Sequence, residues 1–290
     1  MNEEIKTISI DDKNYPEVLK KIPNAPKVLY IRGKINPKEI FFAVVGTRWC
    51  SDYGKRATLE ITGDLCESGL TIVSGLAPGI DTISHKAVLE KEKKTIAVLG
   101  TGLDEKSIYP KENIRLANEI IEKGGALISE YPPGTRGTRF TFPQRNRIVS
   151  GLSLGVLVAE AKEKSGALNT ALWAKKQEKP VFVVPGPIYS SNSKGCHYLI
   201  KKGAKLVESA NDILKDLGIL QKFKEKKYVL GDTNEENLIL GALKEESLTV
   251  DKIIEKTNLP AAKVISIISI LEIKNKIKNL GGNNYAISNS

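Results

Sequence analysis

At 290 residues and 41% hydrophobic content, the chain can bury a full core and still have room for a second small domain. No segment approaches the ~20 apolar residues that span a bilayer, and the polar, acidic start from Met1 to Ile10 is unlike a signal peptide, so a cytoplasmic location is expected. Three widely spaced cysteines (Cys50, Cys66, Cys196) and two histidines suggest neither a disulfide framework nor a zinc site, and no cofactor is expected.

The net charge is +10 and it is unevenly spread. Residues 38–215 hold 26 Lys/Arg against 19 Asp/Glu, whereas residues 233–290 hold seven of each. A polyanion is therefore expected on the middle of the chain rather than on its tail.

Residues 1–37 carry Pro16, Pro23, Pro26 and Pro37 and read as a short, irregular or partly helical lead-in. A regular pattern then begins. Apolar strand-like runs occur at Phe41–Thr47, Thr71–Gly75, Thr95–Gly100, Ala126–Glu130, Leu154–Ala161, Val181–Pro185 and Lys205–Val207. Helix-like stretches separate them at roughly 53–68, 80–92, 112–123, 166–178 and 195–202. Strands buried on both faces and alternating with helices predict an α/β fold, a Rossmann-like domain over 38–215 with a mostly parallel sheet. Lysine-rich residues 216–232 read as a linker. Beyond it, short helical patterns near 235–245 and 250–257 precede Val264, Ile267, Ile268 and Leu271, which share one helix face. Ile277, Gly281, Gly282 and Tyr285 then suggest a hairpin, so 233–290 reads as a winged helix.

Ligands bind such sheets outside the carboxyl ends of the strands, where this chain clusters its glycines. Gly46-Thr47-Arg48 follows the first run, with Ser51 just beyond. Gly46 would allow close approach of an anion, Thr47 and Ser51 would add hydroxyl donors, and Arg48 a charged fork. The dinucleotide fingerprint G-x-G-x-x-G is absent. Ser74 to Asp81 forms a turn bordering the same place. Asp81 with His85 could be an acid–base pair, but a bracing Asp81 and a packed His85 explain both better. Ser165-Gly166 opens the helix that carries Thr170; Ser165 suits an N-cap as well as an anion cradle.

Four of the eight arginines, Arg136, Arg139, Arg145 and Arg147, fall within twelve residues. They lie in a run from Tyr131 to Ala159 without an acidic residue, interleaved with Phe140 and Phe142. Guanidinium forks among aromatic faces are the ingredients of a single-stranded nucleic-acid groove. With no carboxylate nearby in sequence, surface ion pairing is the weaker explanation.

Taken in order, these stretches resemble the DprA/Smf family of DNA-processing proteins. The resemblance rests on Val45-Gly46-Thr47-Arg48 with Tyr53-Gly54, and on Ser74-Gly75-Leu76-Ala77 with Gly79-Ile80-Asp81-Thr82 and His85. Tyr109-Pro110, Ser129-Glu130-Tyr131-Pro132-Pro133-Gly134 and Phe142-Pro143-Gln144-Arg145-Asn146-Arg147 continue it, as does Lys164-Ser165-Gly166-Ala167-Leu168. It covers about residues 15–215. The resemblance implies a non-catalytic, single-stranded DNA-binding homodimer that protects DNA and loads the RecA recombinase in natural transformation or recombination. By position, Arg48, Arg139 and Phe142 would line the DNA pocket. Arg145, Asn146 and Arg147 would support it or touch phosphates, and Gly46, Ser165 and Gly166 would give backbone donors. Two departures stand out. Pro78 occupies a place where a polar residue is common, and the winged helix is electrically neutral, with only Lys263 near the start of its presumed recognition helix, which suggests a protein-contact or autoregulatory module.

The alternative is a nucleotide-binding or nucleotide-processing protein of the related lysine-decarboxylase-like group. Its Pro-Gly-Gly-x-Gly-Thr string and following glutamate are not reproduced at Lys164 to Ala171, which removes the obvious general acid or base. A sensor of small signalling nucleotides is a further alternative. An endonuclease is disfavoured, because no Asp/Glu/His cluster has metal-ligand character. Leu206, Ile213 and Leu214 are candidates for a dimer face, though core packing would explain them equally well.

Overall fold

The computed structural model describes residues 4–219, 231–243 and 247–288. It divides into two compact units, Met1–Gln221 and Lys222–Ser290. Most of the expected linker at 216–232 lies outside the described residues.

In the first unit the elements run β1 (Lys6–Ser9), α1 (Glu17–Lys20), β2 (Val28–Gly33), β3 (Phe41–Val45), α2 (Asp52–Glu67), β4 (Thr71–Ser74), α3 (Ile80–Glu90) and β5 (Thr95–Val98). They continue as α4 (Ile114–Glu122), β6 (Ala126–Ser129), α5 (Thr141–Leu152), β7 (Val156–Val158), α6 (Gly166–Lys176), β8 (Val181–Val183), α7 (Lys194–Lys201), β9 (Lys205–Leu206) and α8 (Ala210–Asp216). The nine strands form one sheet in the order β1-β2-β6-β5-β4-β3-β7-β8-β9. From β6 to β9 all neighbours are parallel, while β2 meets β6, and β1 meets β2, in antiparallel register.

Two apolar layers explain why these strands read as continuous hydrophobic runs. All five residues of β3 are buried. Ala43, Val45, Ile96 and Val98 pack with Ile148, Val149 and Leu152 of α5 and with Ala167, Ala171 and Ala174 of α6. Ala97, Leu99 and Leu127 join a separate cluster with Leu89, Leu116 and Ile120 of α3 and α4. Helices therefore cover both faces, as a parallel sheet requires.

Two features depart from the sequence expectation. The stretch 1–37 is not merely a lead-in, because it supplies two sheet strands and a core plug. Tyr15 and Leu19 are fully buried, and the Tyr15 hydroxyl donates to the Pro26 carbonyl at 2.7 Å. Burial pushes that phenol up to about 12. The second departure is α5, since the arginine-rich run carries a helix where no helix was expected. Its Phe142-Pro143 opening disguises it, although proline is tolerated in a first helical turn.

The second unit contains α9 (Asn234–Ala242), β10 (Leu248–Thr249), α10 (Val250–Thr257), α11 (Ala261–Ile273), β11 (Ile277–Asn279) and β12 (Asn284–Ile287). Its strands pair antiparallel in the order β10-β12-β11. Val264, Ile267, Ile268 and Leu271 all face its core beside Ile239, Ile253 and Tyr285. This is the winged helix that the periodicity predicts, with β10 as an addition.

Candidate nucleic-acid interface

The order of the sheet decides where a ligand can sit. The chain runs from β3 through β4 and β5 to β6 on one side, and β7 then returns to the other side of β3. Between β3 and β7 the connecting loops diverge, which is the topological switch point of an open α/β sheet. An open cleft of about 790 Å³ lies there. Gly46, Thr47, Arg48, Trp49, Arg139, Phe142, Arg145, Asn146, Ser165, Gly166 and Thr170 line it, together with Asp81, Tyr109, Lys162 and Lys164. Segments more than a hundred residues apart in sequence thus converge on one space.

The turn after β3 is built by packing as much as by donors. A Cβ on Gly46 would fall 2.4 Å from Ile80 Cγ1 and 2.9 Å from the Glu160 carbonyl oxygen, so no side chain fits. Thr47 is buried, its amide donates to the Glu160 carbonyl at 2.7 Å, and its hydroxyl accepts from the Trp49 amide at 3.3 Å. These groups hold the turn and leave Arg48 and Trp49 exposed above it.

Ser51 does not join the cleft lining. Its hydroxyl donates to Glu160 Oε1 at 2.6 Å and accepts from the Gly54 amide as the N-cap of α2, while its amide donates to Glu160 Oε2 at 2.9 Å. Ser51 is therefore a brace rather than an anion donor. Glu160 is a buried carboxylate absent from the sequence expectation, and its two oxygens anchor the start of α2.

The four clustered arginines have separate fates. Arg139 is exposed and lies over Phe140, 4.8 Å from the ring centre. Arg145 is buried; its guanidinium donates to the Gly75 carbonyl at 2.7 Å and to the Val98 carbonyl. A Cβ on Gly75 would lie 2.6 Å from both the Arg145 guanidinium and Asp81 Oδ2, so that glycine lets the two charges face each other. Burial lowers the Arg145 guanidinium to about 10, with Asp81 pulling the other way. Burial likewise pushes the Asp81 carboxyl up, opposed by Arg145 and by the Ala77 amide. Arg147, also buried, pairs with Glu130 and donates to the Asn24 carbonyl at 3.0 Å, outside the cleft lining. The lack of acidic neighbours in sequence is thus misleading, because Asp81 and Glu130 arrive from other elements. Arg136 is exposed and does not line the cleft.

His85 settles as a packed residue. It is fully buried, and its Nδ1 lies 2.8 Å from the Thr95 hydroxyl. That hydroxyl gives its proton to the Ile72 carbonyl, so it must accept from Nδ1–H, and the proton is fixed on Nδ1. Burial, with Arg145 nearby, lowers the imidazole to about 3. A neutral, enclosed ring has no route to act on a ligand.

The remaining wall is α6. Ser165 caps it, accepting from the Ala167 amide at 3.3 Å, and open space lies beyond Gly166. Thr170 is buried on the cleft floor. Asn146 accepts from Arg145 Nε at 3.2 Å and donates to the Gly166 carbonyl at 3.3 Å, linking α5 to α6. Phe142 is half-buried against Tyr109, with ring centres 5.6 Å apart, and the Arg48 guanidinium lies 6.0 Å from its centre. Among the described residues, no carboxylate forms an ion pair with Arg48, Arg139, Lys162 or Lys164. Trp49, Lys162 and Lys164 are additions to the expected lining; an aromatic next to Arg48 and two lysines just before Ser165 were the available signals.

Residues 6–218 match the family model described as DNA recombination-mediator protein A, and residues 230–283 match the DprA winged helix domain. The chain belongs to this DprA family. It is 42% identical over 255 residues to the protein Smf of Synechocystis, covering 82% of this chain and 63% of that relative's length. The X-ray structure of DNA processing protein A (DprA) from Streptococcus pneumoniae superimposes with a TM-score of 0.68 at 44% identity, covering 74% of this chain and 75% of that one. A DNA processing protein A from Helicobacter pylori, described for its unique single-stranded DNA binding mode, gives 0.65 at 30% identity, covering 75% and 98% respectively. The DprA fold thus extends over the unit that carries the cleft.

Proposed function

We propose that this protein is a non-catalytic, cytoplasmic single-stranded DNA-binding protein that protects DNA strands and loads the RecA recombinase during transformation or recombination. One observation carries the reading: Arg48, Arg139, Lys162 and Lys164, without carboxylate partners among the described residues, share a cleft with the half-buried ring of Phe142 at the switch point of the sheet. Arg48 and Arg139 hold phosphates, Phe142 stacks a base, and the Gly166 end of α6 completes the cradle. A ring recessed in a cleft reaches an unstacked base but not one inside a duplex, and stacking is indifferent to base identity. The single-stranded DNA binding mode described for the Helicobacter pylori relative supports this choice of ligand.

The enzymatic alternative is not favoured. Among the described residues the one carboxylate lining the cleft is Asp81, which is buried against Arg145. A homodimer is proposed through the β9 edge. Ile213 and Leu214 are fully buried and therefore core, whereas Leu206 is half exposed on an edge strand.

Mobility shift with single-stranded and duplex DNA, with and without RecA, tests the reading. Arg48→Ala and Arg139→Ala should each weaken single-strand binding and reduce the log-affinity versus log-salt slope by about 0.7. Equal preference for duplex, or an unchanged salt slope in both variants, would overturn it.

A further inference from the structure

The cleft has an aromatic rim that the binding scheme above does not use. Trp49 is 80% exposed and lines the cleft mouth next to Arg48. Its carbonyl accepts from Asn192 Nδ2 at 3.0 Å, which ties the rim to the loop following β8. On that loop Ile188 and Tyr189 are 63% and 92% exposed. Only Ser190 and Ser191 stand between Tyr189 and Asn192, so their Cα atoms are at most about 11 Å apart. The same edge is cationic. Lys162 and Lys164 stand at the cleft wall, where the Ala161 amide donates to the Asn192 carbonyl at 2.8 Å. Lys194 reaches back to the Ile188 carbonyl at 2.9 Å.

Such exposure of two large aromatics on a described surface calls for an occupant. Exposed rings with cations alongside form a stacking track for a charged strand, whereas a protein-docking patch is depleted of lysine at its centre. The track is also continuous with the cleft through Trp49, which belongs to both. We propose that single-stranded DNA leaves the cleft over Trp49 and onto Tyr189, each ring stacking one base, with Lys162, Lys164 and Lys194 alongside the phosphates. This extension rests on the single-strand reading of the cleft and gives it a direction and a longer footprint.

The chain has two tryptophans, so Trp173→Phe leaves Trp49 as the sole indole reporter. Oligo-dT of about 4 nucleotides, enough for the cleft, is compared with one of about 16. The expected result is quenching of Trp49 emission by both oligonucleotides. Tyr189→Ala should weaken the longer one about fivefold or more, leave the shorter one unchanged, and be rescued by Tyr189→Phe. If wild-type protein binds neither oligonucleotide, the cleft reading itself fails. If both bind but Tyr189→Ala changes neither affinity, the track fails while the cleft stands. A changed sedimentation mass for Tyr189→Ala with unaltered affinity for the longer strand would assign the rim to protein contact and also overturn the track.

Discussion

The cleft and the winged helix use the same kind of side chain to opposite ends. Around the cleft, Arg48, Arg139, Lys162 and Lys164 lack carboxylate partners among the described residues. In the winged helix, Lys263 pairs with Glu235 at 2.7 Å, Lys274 with Asp232 and Glu236 at 2.6 and 2.7 Å, and Lys276 with Asp232 at 3.0 Å. A paired lysine has its field cancelled locally and few counterions to release, so it adds little to polyanion binding. Charge is informative only together with its partners. The face of α11 reinforces the contrast, for Ile265 and Ile273 are exposed there beside Ser266 and Ser269 instead of a row of basic groups. That surface suits a protein contact better than a duplex.

The contrast is broken most severely inside the arginine cluster. Arg145→Ala removes the partner of a buried carboxylate and orphans the Gly75 and Val98 carbonyls, so it should cost about 3–5 kcal/mol of stability, read as a lowered denaturation midpoint. Arg139→Ala, on an exposed side chain, should leave that midpoint within about 0.5 kcal/mol while weakening DNA binding. Equal midpoints for the two variants would erase the distinction between scaffold and contact.

A smaller effect is expected from pH. The folded-state pKa of His85 is depressed, so its contribution to stability is complete above the unfolded value near 6.5 and is lost as pH falls toward about 3. Thermal melting should therefore decline over that window, and His85→Gln should flatten the decline; an unaltered slope would mean that other groups govern acid sensitivity. Smallest of all, Lys263→Ala should leave the salt slope for single-stranded DNA unchanged. A reduction comparable to that of Arg48→Ala would show that the winged helix takes part in binding.

The strands were legible because each is sandwiched between helix layers and reads as an unbroken apolar run, as in Phe41–Val45. The last helix was legible for the complementary reason, a 3.6-residue stripe from Val264 to Leu271. By contrast, α5 buries two arginines at its middle and turns its apolar residues, Ile148, Val149 and Leu152, inward only in its second half. Periodicity therefore missed it. The pairing of Arg147 with Glu130 and the bond from Ser51 to Glu160 depend on which strands become neighbours. Composition carries no trace of that. Arg48 and Arg139 reach the cleft from exposed loops, where chemistry and sequence position stay together.

The placement of the cleft between β3 and β7 has a consequence for folding. Residue pairs such as Ala43 and Val156 join only after the intervening half of the domain has been laid down, which makes this a contact of long loop closure. No fragment lacking either side owns the binding surface. Occupancy of the proposed site by a DNA strand would therefore report that both sides of the sheet are assembled, and a bound strand should slow unfolding of the whole unit rather than of one loop.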